Sequence, residues 1–206
     1  MVLCARTRRQ LDAAAAAIRA AGGQAVARVT DIASLEDVRA LMTLVRRRFG
    51  RLDVLINNAG ILGPMVPLLG YPAREWNRVL RVNLTGTFYV TQQAAKLMVS
   101  QGQGRIISMS STVGRAGRAT WGAYAVSKFG LEGLMQVLAA ELKDRGVVAV
   151  SLNPGGTATD MRAQAYPDED RSRLRTPEEA ARAILRLATV LTVEMTGRAF
   201  DLTNLP

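Results

Sequence analysis

Three residues in the middle of the 206-residue chain have types and spacing that could do acid–base chemistry. Ser111 follows a short apolar run, Tyr124 comes thirteen residues later, and Lys128 follows Tyr124 by four. Positions i and i+4 share one face of a helix, so the phenol and the ammonium would lie side by side. A free phenol titrates near pH 10 and is a poor acid or base at neutral pH. A neighbouring ammonium favours the phenolate and lowers that pKa, which would equip Tyr124 for general acid/base work. A serine hydroxyl beside it could hydrogen-bond a carbonyl and orient it. Taken alone, Tyr-x-x-x-Lys reads more readily as an interfacial tyrosine and a surface lysine. Other chemistries are closed to this chain. It has no histidine, which rules out His-based triads, His relays and any zinc site that needs imidazole. Cys4 is its one cysteine, so no internal disulfide or thiolate cluster can form, which fits a reducing, cytoplasmic compartment.

The elements that must position these groups follow from the alternation of short apolar runs and longer helical patterns. Val2 to Ala5 reads as a strand end, and Arg8 to Ala21 as an alanine-rich helix stopped by Gly22-Gly23. Ala25 to Thr30 is strand-like and runs into Asp31. Ser34 with Asp37 three residues on opens a helix that reaches about Phe49 and ends at Gly50. Val54-Leu55-Ile56 reads as a buried parallel strand. A Gly/Pro-rich loop from Gly60 to Pro72 leads to a helical stretch from about Ala73 to Ser100, broken near Asn83. Ile106 to Met109 is a strand, and the helix carrying Tyr124 and Lys128 runs from about Ala123 to Asp144. Val147 to Leu152 is a strand ended by Asn153-Pro154-Gly155-Gly156. Arg162 to Arg175 is a polar stretch expected to be a mobile loop. Pro177 sits in the first turn of a helix to about Leu191, and Arg198 to Leu202 is a last strand. This alternation argues for right-handed βαβ units: one α/β domain with a doubly wound parallel sheet. Ligands of such sheets bind at the carboxyl ends of the strands.

The motifs at those strand ends are Asn57-Asn58-Ala59-Gly60, Asn83 in Val82-Asn83-Leu84, Ser111 with Tyr124 and Lys128, and Pro154-Gly155 with Thr159. Together they resemble the short-chain dehydrogenase/reductase family over nearly the whole chain. The stretch from Val113-Gly114-Arg115 to Tyr124 looks like a bacterial subgroup of oxidoreductases without an assigned substrate. The resemblance implies a Rossmann-like fold and NAD(P)-dependent interconversion of a carbonyl and a secondary alcohol. It implies Tyr124 as general acid or base, Lys128 as the group that lowers its pKa and binds the nicotinamide ribose, and Ser111 as the group orienting the substrate oxygen. Ser110 is a rival, but the thirteen-residue spacing favours Ser111. Asn83 would hold a water linking Lys128 to solvent. Asn58, Ala59 and Gly60 would pack along the cofactor, and Asp31 would meet the adenine. Thr157 and Thr159, after the Pro154-Gly155 turn, would contact the nicotinamide amide and the phosphates. Arg6 stands where the family tells NADP from NAD, and a guanidinium suits a 2′-phosphate, so NADP is expected ahead of NAD. The same resemblance implies a homodimer or homotetramer.

One family feature has no counterpart in this sequence. A first strand, a Gly-rich turn and a first helix would precede Val2, and the strand would lie between those at Val2 and Val54. Without it both neighbours are expected to expose unpaired edges. The alternative reading is therefore a non-catalytic, truncated fragment or pseudoenzyme that acts only as a dimerising protein. The net charge of +10 raises a further possibility, nucleic-acid binding. The arginines, such as Arg6, Arg8, Arg9 and Arg46-Arg47-Arg48, are spread along the chain and not interleaved with aromatics, which favours a solvated surface. No run approaches the roughly 18 apolar residues of a membrane span. A substrate pocket is expected among Leu62 to Leu69, Val113 to Trp121 and Met161 to Tyr166, and no metal site is expected.

Overall fold

The computed structural model describes residues 1–206. Its elements run β1 (Val2–Ala5), α1 (Arg8–Ala20), β2 (Val26–Val29), α2 (Leu35–Phe49), β3 (Val54–Asn57), α3 (Ala73–Leu80), α4 (Thr87–Gln101) and β4 (Gly104–Met109). Then follow α5 (Gly122–Leu142), β5 (Val147–Asn153), α6 (Asp160–Ala165), α7 (Pro177–Val190) and β6 (Ala199–Asp201). Every strand pair is parallel. No helix is long and apolar enough to cross a membrane.

The central strands β4 and β5 alternate between two buried faces, as a strand of period two must when both sides are covered. Ile107, Val148, Val150 and Leu152 pack on one side with Leu187, Ala188 and Leu191 at the end of α7. Ile106, Val147 and Ala149 pack on the other side with Met98 of α4 and Met135 of α5. The sheet is thus wound with helices on both faces. Each fully buried Ile, Leu or Met contributes about 1.5–3 kcal/mol.

The helix ends obey local chemistry. The Ser34 hydroxyl accepts from the Asp37 amide at 3.2 Å to start α2, and Gly50, in the left-handed region at φ 68°, stops it. A full capping box, Thr176 with Glu179, starts α7. Two segments depart from expectation. The break near Asn83 is a π-helical turn over Arg81–Gly86 that joins α3 to α4 without interruption. The polar stretch expected to be a mobile loop carries α6. There the Thr159 hydroxyl accepts from the Arg162 amide, and Arg162 is ion-paired with Glu169 and lies 3.9 Å over the Tyr166 ring.

The strands form two sheets, β1-β2 and β3-β4-β5-β6. β1 is hydrogen-bonded only to β2 and β3 only to β4, so each carries a free edge, as the family resemblance implied. Beneath that seam α2 packs on α4 through Met42, Val45, Ala94 and Leu97, and Val2 and Leu55 rest on the same cluster.

Candidate active site

α5 delivers Tyr124 and Lys128 on one face, both buried, at 9% and 5% exposure. Ser111 leaves β4 and caps a 3₁₀ turn over Thr112–Gly114, its hydroxyl accepting from the Val113 amide at 3.4 Å. That turn lies directly on α5. A Cβ at Gly114 would stand 2.8 Å from Lys128 Cβ and 2.9 Å from Ser110 Oγ, so only glycine allows the approach. The Ser110 hydroxyl points away and donates to Glu132 Oε1 at 2.6 Å. Ser111 is therefore the serine whose hydroxyl acts on the Tyr124 phenol.

Lys128 Nζ donates to the Met109 carbonyl at 2.6 Å and lies 5.5 Å from the centre of the Tyr124 ring. Burial pulls its pKa down to about 8, against an opposing pull from Glu132 one turn further along α5. Burial also pushes the Tyr124 phenol above its ordinary value, and the Ser111 hydroxyl works in the other direction with the smaller effect. This corrects the expected depression by Lys128. The ammonium is turned to the Met109 carbonyl, and burial sets the direction of the shift in both groups.

Asn83, fully buried in the π turn, donates from Nδ2 to the Ile61 carbonyl at 2.9 Å and to Ser127 Oγ at 3.1 Å. Its Oδ1 accepts from the Ile61 amide at 2.8 Å. Its side chain thus serves as a strut between the loop after β3 and α5. π-helical turns often mark functional positions, and here the turn aims this amide inward.

One buried network was not foreseen. Glu132 accepts from Ser110, from Ser151 and from Arg115 Nε at 3.0 Å. Arg115 continues to Asp201 at 2.8 Å and to the Phe200 carbonyl at 2.9 Å. The available signal was an acid four residues after Lys128, one turn further along the same helix face.

Because β3, β4 and β5 are parallel, Asn58, Ser111 and Pro154 emerge from one edge of the sheet. Asn58 and Ala59 are exposed there, and Gly60 lies beside Asn83 and Lys128: a Cβ on it would be 3.5 Å from Asn83 Oδ1 and 4.0 Å from Lys128 Nζ. Gly155 makes the turn after Pro154 at φ 69°. Arg6 and Asp31 leave the carboxyl ends of β1 and β2. Arg6 is exposed and in no ion pair. Asp31 shapes the entry to α2: one carboxylate oxygen accepts from the Ala33 amide, and its own amide donates to Asp37. Thr159 is occupied as the cap of α6. Thr157 Oγ1 is buried without a partner, a cost that a polar ligand group would relieve. That orphaned hydroxyl on the loop after β5, with the unpaired Arg6 at the end of β1, fits an elongated ligand such as a dinucleotide, with its amide at one end and a phosphate at the other.

The three segments expected to line the substrate pocket do meet. Leu62, Val113, Trp121, Tyr124 and Ala125 form one apolar cluster, joined by Met65, Met161 and Tyr166.

A parallel α/β sheet with helices on both faces, a buried Tyr-x-x-x-Lys helix and a serine at the neighbouring strand end define a Rossmann-like class of α/β fold. The family model described as short chain dehydrogenase matches residues 1–170, and the chain belongs to that family. It is 42% identical over 166 residues to the uncharacterized oxidoreductase YciK of Escherichia coli K12, covering 81% of this chain and 66% of that protein, just under two thirds of its length. It is 36% identical over 196 residues to a 3-oxoacyl-[acyl-carrier-protein] reductase of Synechocystis, covering 92% of this chain and 79% of the relative. Among solved structures, a short chain dehydrogenase of Escherichia coli CFT073 complexed with NADPH superposes with a TM-score of 0.89 at 35% identity, over 98% of this chain and 85% of that one.

Proposed function

We propose that the protein is an NADP-dependent oxidoreductase that interconverts a carbonyl and a secondary alcohol. The observation that carries this reading is the convergence of Ser111, Tyr124 and Lys128 beside the apolar cluster around Trp121. Burial keeps the Tyr124 phenol protonated at neutral pH, the state needed to donate a proton to a developing alkoxide. The Ser111 hydroxyl orients the carbonyl oxygen toward that phenol. Lys128, fixed between the Met109 carbonyl and Gly60, binds the ribose and places positive charge below the ring. Asn83 holds Ile61 and Ser127 so that the loop after β3 keeps its distance from α5. Thr157 would bind the nicotinamide amide, and Pro154 and Gly155 turn the chain to bring it there. Asn58, Ala59 and Gly60 would line the cofactor, with Arg6 reaching the 2′-phosphate, Asp31 the adenine side and Thr159 the region of the phosphates. When bound, NADPH supplies the hydride. The relative crystallised with NADPH supports this choice of cofactor.

The test is Tyr124→Phe assayed for NADPH-dependent carbonyl reduction. Turnover should fall by about two orders of magnitude or more while cofactor binding persists. Full activity of the variant would refute the assignment. The partner reading rests on α5, where Val126, Phe129, Gly133 and Val137 form an exposed apolar stripe, with Phe88 of α4 also exposed. Such a stripe on a helix already packed on its own sheet fits a second copy of this chain. Met135 and Leu138 of the same helix face the protein's own sheet.

A further inference from the structure

The oxidoreductase reading leaves the substrate open, and the inference here rests on that reading. The apolar cluster beside Tyr124 continues outward as a run of rings. The Trp121 ring is centred 5.6 Å from that of Tyr124 and 5.9 Å from that of Tyr166. Two guanidiniums stand at the far end of this run. Arg162 lies over Tyr166 but is neutralised by Glu169, which accepts from both its Nε and its Nη2. Arg118 has no acidic partner. It donates from Nη1 to the Tyr166 hydroxyl at 2.6 Å and sits 5.6 Å from the centre of that ring. The wall therefore ends in one uncompensated positive charge, held in place by the Tyr166 hydroxyl.

The backbone between Arg118 and Trp121 is held in an unusual shape. Thr120 is the one non-glycine residue with positive φ, 69°. A β-branched residue adopts that region only where its surroundings impose it, and such residues cluster at ligand sites. The conformation turns Trp121 inward onto Tyr124 while leaving Arg118 at the rim.

We propose that the substrate is a ketone or secondary alcohol on an apolar, ring-sized body whose far end carries a carboxylate that binds Arg118. The rings of Trp121 and Tyr166 take the body. The donors of Arg118 not used by Tyr166 face a carboxylate with matching planar geometry. A guanidinium at an exposed rim gives a modest preference that salt weakens.

The test compares 4-(4-acetylphenyl)butanoate with its methyl ester. Binding to the whole chain is measured by calorimetry at low salt, without cofactor, and NADPH-dependent reduction of both is measured in parallel. The acid should bind about five- to tenfold more tightly than the ester. Arg118→Gln should abolish that preference and leave ester binding within about twofold, Arg118→Lys should keep part of it, and Tyr124→Phe should keep all of it. Equal binding of acid and ester, a preference that survives Arg118→Gln, or no binding of either would overturn the proposal. Failure of the oxidoreductase reading would look different: an intact preference for the acid with no reduction of either compound.

Discussion

Replacing Lys128 by methionine should make the protein more stable at neutral pH, and the gain should vanish in alkali. Lys128 is buried, and desolvation pulls its pKa from 10.5 to about 8. Between those two values the folded chain has lost the proton and the unfolded chain still holds it. The unfolded state then binds more protons, so stability rises with pH across the window. The whole displacement corresponds to about 3 kcal/mol, a burden that wild type carries in full below about pH 8. Methionine has similar length and flexibility and no charge. It also loses the bond from Nζ to the Met109 carbonyl, which returns about 1 kcal/mol to the wild type's side. The variant should therefore be more stable by about 2 kcal/mol at pH 7 and less stable by about 1 kcal/mol near pH 10.5. Urea unfolding of both chains from pH 7 to 10.5 measures the difference. Cys4, Tyr71 and Tyr124, whose pKa values burial raises, titrate in both chains and cancel. A difference that stays constant across that range would show that Lys128 is not held by burial in the way described.

Glu132→Ala strips the acceptor from Ser110, Ser151 and Arg115 and should destabilise by about 3 kcal/mol, lowering Tm by about 6–12 °C in calorimetry. A loss below about 1 kcal/mol would mean the network is structurally idle. Arg6→Ala should weaken NADPH by about 1.5–3 kcal/mol and leave NADH nearly unchanged, read by titration of each cofactor; equal weakening would remove Arg6 from the 2′-phosphate. Phe129→Glu on the exposed stripe of α5 should shift sedimentation of the wild-type oligomer to monomer, and a wild type already monomeric at micromolar concentration would sink the interface.

Much of the site was legible because its key spacings are local. Tyr124 and Lys128 are one helical turn apart, and Ser111 is fixed by the end of a short apolar strand. The direction of the tyrosine's shift was not legible, because spacing along a helix shows which groups are neighbours and not how far both are withdrawn from water. Glu132 escaped for a related reason. Its meaning comes from Arg115 and Ser151, which lie in other elements, and through Arg115 from Asp201 near the end of the chain. The helix α6 was hidden by composition: its polar sequence looks like a loop until Thr159 is seen capping the Arg162 amide and Arg162 is seen pairing with Glu169. That β3 to β6 run parallel followed from the alternation itself, whereas the free edges of β1 and β3 followed from the family resemblance, which implies a strand between them.

The seam between β1 and β3 divides the protein into two units of different opening cost. Backbone amides of β4 and β5 are laddered on both sides, whereas β1 and β2 share a single ladder and meet the rest through side chains such as Met42 and Leu97. Side-chain contact can part without breaking a ladder, so the amides of β1 and β2 should exchange with solvent as a group, well before those of the larger sheet. The residues assigned to the two ends of the dinucleotide fall on opposite sides of this seam, Arg6 and Asp31 on one and Tyr124, Lys128 and Thr157 on the other. A ligand reaching across would act as a tie rod. Part of its binding free energy would go into holding the units together, and its arrival would register as slowed exchange in β1 and β2, far from the reacting carbon.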